Sequence, residues 1–194
     1  RDRSNRILNK YNEEKMNNLR RIITGHDKNG KSIISIDGPP ARILGEDVGG
    51  LFEIWNTDGE IINTLDNSDR ADIDVVLSPS KNGTKFRYFA IKPTPGEISL
   101  EKLEAATAKA FELMGASHER VDTTRHPSMH KTKTIDYIIL LKGDVTLLLD
   151  NDEVRLKPFD VVVQRGTNHA WVNNGEEPAL LIAVLIDSEI QDNI

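Results

Sequence analysis

The sequence contains no cysteine, which excludes disulfides, thiol nucleophiles and thiolate metal ligands. Aromatic residues make up only 5% of it, so a core must come mainly from aliphatic side chains. No apolar run approaches the roughly 18 residues of a membrane-spanning helix; cytoplasmic residence and no membrane partner are expected. Phosphate-cradling loops are missing as well. Neither Gly-x-Gly-x-x-Gly, nor a Walker-type loop, nor a nucleophile elbow occurs. Excess positive charge is also absent, the net charge being -6 and the pI near 5.4, which argues against nucleic acid as a partner. The basic residues gather at the start. Arg1, Arg3, Arg6, Lys10, Lys15, Arg20 and Arg21 meet only Asp2, Glu13 and Glu14 over residues 1–21, a pattern that fits a solvated helical arm.

Taken in order, residues 6–19 have few breakers and a thin apolar spacing (Ile7, Tyr11, Leu19), which predicts a helix in need of a covering surface. We treat 1–19 as an arm and 20–194 as one domain. Lys28-Asn29-Gly30 predicts a hairpin turn between two short strands. LFEIWNT and KFRYFAIKP read as strands, with Pro93 and Pro95 ending the second. Between them, residues 56–82 form a polar excursion. Its Asp66, Asp69, Asp72 and Asp74 lack the glycine and terminal glutamate of a calcium loop. Ser99 is placed to cap a helix near 100–114, with Gly115 at its end and an apolar stripe of Leu100, Leu103, Ala110, Phe111 and Met114. That stripe reads as packing.

The informative stretch runs from His126 to Asn173. His130, Thr132, Thr134 and Asp136 alternate, so one extended segment points all four the same way. Thr167, His169, Trp171 and Asn173 do the same on a later segment. Short β segments separated by turn residues follow one another from residue 137 to 187, which predicts an all-β antiparallel sandwich or barrel. A barrel that brings the two segments together aims two imidazoles and one carboxylate at one point. His130, Asp136 and His169 are therefore candidate metal ligands.

With these residues in view, the second half resembles a cupin, a small jelly-roll barrel with two short motifs. Asp136 and Gly143 are separated by six residues, as are the glutamate and glycine of the first motif; counting back puts Thr132 and His130 on its two histidines. Gln164, Gly166, His169 and Asn173 follow the spacing of the second motif, with Gln164 in place of its proline. The resemblance covers residues 126–187 and implies a cupin-type double-stranded β-helix. It also implies a divalent metal ion (Fe, Zn, Mn or Ni). This sequence departs from the usual ligand set, because Thr132 stands where a histidine ligand is expected and Asp136 where a glutamate is.

The combined reading predicts a metal-dependent enzyme acting on a small polar substrate with a carbonyl or carboxylate, by lyase, dehydratase or isomerase chemistry. An iron dioxygenase and a non-catalytic ligand-binding cupin are the alternatives. Asp136, His169 and Thr132 are the candidate catalytic residues. Arg165, Trp171 and Gln164 are the candidate substrate contacts, Arg165 because its guanidinium can pair with a carboxylate. His126 is a candidate substitute ligand, and His26 and His118 are expected to face solvent. A homodimer is expected, since the thin stripe on the first helix needs cover.

Overall fold

The structure is a computed structural model that describes residues 18–189 apart from 47, 48, 95 and 97. The helix expected over residues 6–19 therefore lies almost wholly outside the described residues. The first described element is a hairpin of β1 (Arg21–His26) and β2 (Ser32–Gly38). Its turn is closed by Asp27, whose Oδ1 accepts from the N–H of Asn29 at 2.8 Å and of Lys31 at 2.9 Å.

Nine more strands follow among the described residues: β3 (Ile43–Leu44), β4 (Leu51–Thr57), β5 (Thr84–Ile91), β6 (Thr134–Lys142), β7 (Val145–Leu149), β8 (Glu153–Leu156), β9 (Val161–Arg165), β10 (His169–Asn173) and β11 (Ala179–Asp187). They form a six-stranded sheet in the order β3-β4-β5-β11-β6-β9 and a three-stranded sheet in the order β10-β7-β8. All pairings are antiparallel. Period-2 patterning explains how the sheets meet. On β11, Ala179, Leu181, Ala183 and Leu185 are buried, and on β6 so are Ile138 and Leu140. They pack with Val145 of β7 and Leu156 of β8 into one core. Each fully buried leucine there stabilises the fold by about 1.5–3 kcal/mol.

Gly143 makes the tight β6–β7 connection possible. Its φ is 105°, and a Cβ there would lie 2.6 Å from the Cβ of Ala179, so a side chain is excluded by both torsion and space. This is the glycine that the first motif spaces from Asp136.

The helix α1 (Leu100–Leu113) is capped by Ser99, whose Oγ accepts from the Lys102 N–H at 3.3 Å. Gly115 follows with φ 66°. The expected apolar stripe needs correcting at its first member, since Leu100 is 72% exposed. Thr107 and Phe111 are the buried residues of the helix. Residues 58–83, between β4 and β5, contain no strand. Their acids serve local contacts: Asp69 pairs with buried Arg21, Asp72 pairs with Arg42, and Asp66 accepts from Ser68. No described helix is long and apolar enough to cross a membrane.

Candidate active site

Where the two sheets and α1 meet, a cavity of about 240 Å³ opens. Its walls are largely apolar. Phe89 and Ile91 come from β5, Ala110, Phe111 and Leu113 from α1, Ile138 from β6 and Trp171 from β10. Six polar residues also line it: Arg87, Ser128, His130, Thr132, Asp136 and His169. The cavity thus joins both halves of the chain.

His130 and His169 are brought side by side by the backbone. The N–H of each donates to the carbonyl of the other at 2.9 Å, forming a one-residue bridge just ahead of β6. The ring centroids are consequently 4.2 Å apart. Each ring is then fixed by a carbonyl two residues earlier: His130 Nδ1 lies 2.9 Å from Ser128 O, and His169 Nδ1 lies 3.0 Å from Thr167 O. A carbonyl can only accept, so Nδ1 must carry the proton in both rings. That leaves Nε2 with its lone pair. Phe111 packs edge-on to His130 at 4.9 Å, and Trp171 edge-on to His169 at 5.6 Å. Burial pushes the His130 imidazole down to about 4, against the bond to Ser128. Burial, then the neighbouring His130, drives His169 well below the ordinary imidazole range. Both rings are neutral at physiological pH.

Asp136 is 4% exposed and its Oδ1 has no hydrogen-bond partner. Burial lifts its carboxyl to about 6; the Thr134 hydroxyl and the Arg87 charge oppose the rise and Glu119 adds to it. Thr132 and Thr134 are joined through their hydroxyls at 2.7 Å. A carboxylate accepts from Thr134, and Thr134 then accepts from Thr132, so the cavity-lining hydroxyl of Thr132 is connected to Asp136. The residue standing at a ligand position of the motif is here the outer end of a hydroxyl chain.

Below the cavity lies a layer of buried charge. Glu53 on β4 is 1% exposed, Arg87 on β5 is 1% and Lys85 is 3%. Arg87 Nε is 2.9 Å and Lys85 Nζ 3.8 Å from the Glu53 carboxylate. Glu119, bonded to Ser78, is buried beside them; burial raises its carboxyl, against that bond.

The sequence-predicted residues separate into two groups. His130, Thr132, Asp136, His169 and Trp171 line the cavity together. Gln164 and Arg165 do not line it. Gln164 is buried, but its amide donates to Thr167 O at 3.1 Å and to the Thr167 hydroxyl, bracing the turn ahead of His169. Arg165 faces solvent on β9. His126 is also off the cavity lining, its Nδ1 accepting from the Ser128 N–H at 3.1 Å. Arg87 and the α1 wall were not anticipated, and the only sequence signal for Arg87 is a cation at an inward parity of a strand. As for a metal, the two free Nε2 atoms and the orphaned Asp136 Oδ1 have suitable donor chemistry. Among the described residues, however, no group of three or more His, Asp or Glu is gathered tightly enough to hold an ion.

The family described as "Cupin domain" matches residues 118–185. The chain is similar to the phomopsin biosynthesis cluster protein C' of Diaporthe leptostromiformis, 32% identical over 79% of this chain and 69% of that protein. It is similar to the cupin-domain-containing oxidoreductase fogC of Aspergillus ruber, 26% identical over 86% of this chain and 71% of that one. Among solved structures, a Cupin 2 conserved barrel domain protein from Salinispora arenicola overlaps 54% of this chain and 63% of its own, at 15% identity and a TM-score of 0.34.

Proposed function

Because the chain belongs to the cupin family, we propose that it is an enzyme that takes a compact, mostly apolar carbonyl compound into its barrel and moves a proton beside the carbonyl. The observation that carries this reading is the set of unclaimed polar atoms on His130, His169 and Asp136 that line one cavity with largely apolar walls. Those walls favour an apolar body in place of the small polar molecule expected from the sequence. A carboxyl held near the operating pH is suited to general acid–base work, which contributes typically ~10²–10⁴-fold. Asp136 takes and returns the proton, and the Thr134 and Thr132 hydroxyls orient its lone pairs. The Nε2 atoms of His130 and His169 accept from a hydroxyl of the substrate. Proton transfer of this kind is the chemistry of isomerases and lyases.

A second reading is metal-dependent oxidation, favoured by the paired Nε2 atoms and by the similarity to the cupin-domain-containing oxidoreductase fogC. His130 and His169 would hold the ion, and Asp136, which is not gathered tightly enough with them in this structure, would have to move to complete the set. A bound divalent cation would supply Lewis acidity toward an oxygen of the substrate. Carbonyls fixing Nδ1 of both rings suit this role equally.

The two readings separate in one experiment. Incubate chelator-treated and metal-loaded protein with 2-octanone in heavy water, and follow deuterium uptake by mass spectrometry. The first reading expects uptake without metal, at least 100-fold lower in Asp136→Asn. Uptake only after metal loading overturns the metal-free reading, and an oxidised product formed only with both metal and dioxygen supports the second. Absence of uptake in both preparations refutes proton transfer at a simple ketone.

A further inference from the structure

Arg87 is the largest fully buried side chain among the described residues and lines the cavity. Its β5 position lies opposite Ala183 of β11, a small residue that leaves room for the guanidinium. Nη2 donates to Val76 O at 2.8 Å. Nε sits 2.9 Å from Glu53 Oε1, too poorly aligned for a hydrogen bond. Nη1 is buried with no partner at all. Across the same cavity Asp136 Oδ1 is also buried without a partner. Buried donors and acceptors are nearly always matched, so two orphans of opposite kind facing one cavity call for a ligand that matches both. An ion pair with Glu53 already accounts for the charge of Arg87, and does not account for Nη1.

We infer that Arg87 is the oxygen anchor of this cavity, holding the uncharged carbonyl of a ketone or aldehyde through Nη1. The inference rests on the reading given above and narrows its substrate class. Charge decides between a neutral carbonyl and a carboxylate. Three buried acids, Glu53, Glu119 and Asp136, surround the two buried cations Lys85 and Arg87, so the site already holds more acids than cations. A substrate carboxylate would add another negative group to a desolvated cluster, where repulsion is weakly screened. A ketone oxygen adds none, and accepts the Nη1 proton directly. Chemistry follows from the pairing. Asp136 takes a proton from the carbon beside the carbonyl; the C–H electron pair becomes the enolate C=C bond; the carbonyl π pair moves onto oxygen, where the Nη1–H meets the new charge. Return of that proton to carbon restores Asp136.

The test is titration calorimetry with three eight-carbon probes at pH 7.5: 2-octanone, 2-octanol and octanoate. Wild-type protein is expected to bind 2-octanone at least tenfold more tightly than octanoate. Arg87→Lys, which keeps the charge and loses the Nη1 fork, is expected to lose at least tenfold in 2-octanone affinity. The double variant Glu53→Gln/Arg87→Met, which removes the ion pair as a unit, is expected to lose as much. If neither variant folds, the wild-type comparison decides alone. Octanoate binding as tightly as the ketone, or unchanged ketone affinity in a folded Arg87 variant, overturns the anchor and leaves the cavity reading standing. Failure of every probe to bind wild-type protein overturns both.

Discussion

Within the six-stranded sheet, β5 and β11 lie side by side yet carry opposite interiors. On β11 the buried residues are Ala179, Leu181, Ala183 and Leu185, while on β5 they include Lys85 and Arg87. The register places Leu185 opposite Lys85 and Ala183 opposite Arg87. One strand is held by burial of hydrocarbon, which needs no particular partner. The other is held only as long as Glu53 on β4 compensates its cations. The fold is specialised accordingly: β11 supplies an aliphatic scaffold that needs no specific partner, and β4 and β5 supply a charged layer that touches the cavity and depends on matched partners.

The largest effect should come from breaking the charged layer on one side only. Arg87→Met leaves Glu53 buried with the more distant Lys85, and should lower unfolding free energy in urea by about 3–5 kcal/mol. Adding Glu53→Gln should restore part of that loss. If the single and double variants are equally unstable, the pair is not coupled as described. In the aliphatic half, Leu181→Ala should cost about 2–5 kcal/mol through transfer and cavity terms. No rescue by a neighbouring polar change is expected there, because hydrocarbon packing has no specific partner.

Acid sensitivity gives a third comparison. The folded-state pKa values of His130 and His169 lie below the unfolded value near 6.5. Their neutral burial therefore contributes fully above about pH 6.5, and the contribution is lost as pH falls toward 4. Asp136 acts with the opposite sign. Its folded pKa is raised to about 6, so ionisation costs stability as pH rises from about 4 to 6. Asp136→Asn should be more stable than wild type at pH 7.5, by at most about 3 kcal/mol, and no different near pH 3. Thermal melts at the two pH values check both signs. The smallest effect belongs to the surface: Arg20→Ala, which breaks the exposed pair with Asp37, should leave the urea midpoint unchanged.

The same contrast explains what could be read in the sequence. Strand positions from 134 to 187 were legible because short apolar β segments there are separated by turn residues. The His130–Asp136 parity was legible from alternation, and both residues do line one cavity with His169. Arg87 was illegible: a cation at inward parity looks like an outward residue until Glu53 is seen across the strand pair. The bulge between Glu53 and Trp55 hides that further, since it breaks the alternation of β4 and buries Phe52, Glu53 and Ile54 in succession. The α1 wall was read as packing because Phe111 and Met114 serve equally as core and as pocket. Arg165 and Gln164 are candidate substrate contacts in the sequence, but motif spacing fixes position along a strand and not whether a cavity reaches it.

The account depends most on two neutral imidazoles that present unprotonated Nε2 atoms to the cavity. Long-range nitrogen–proton NMR on ¹⁵N-labelled, chelator-treated protein at pH 7 reads this directly. His130 and His169, assigned by single substitution, should both appear as the Nδ1–H tautomer, with no change between pH 7 and pH 5.5. Either ring found as Nε2–H, or titrating near pH 6.5, would contradict the site as described.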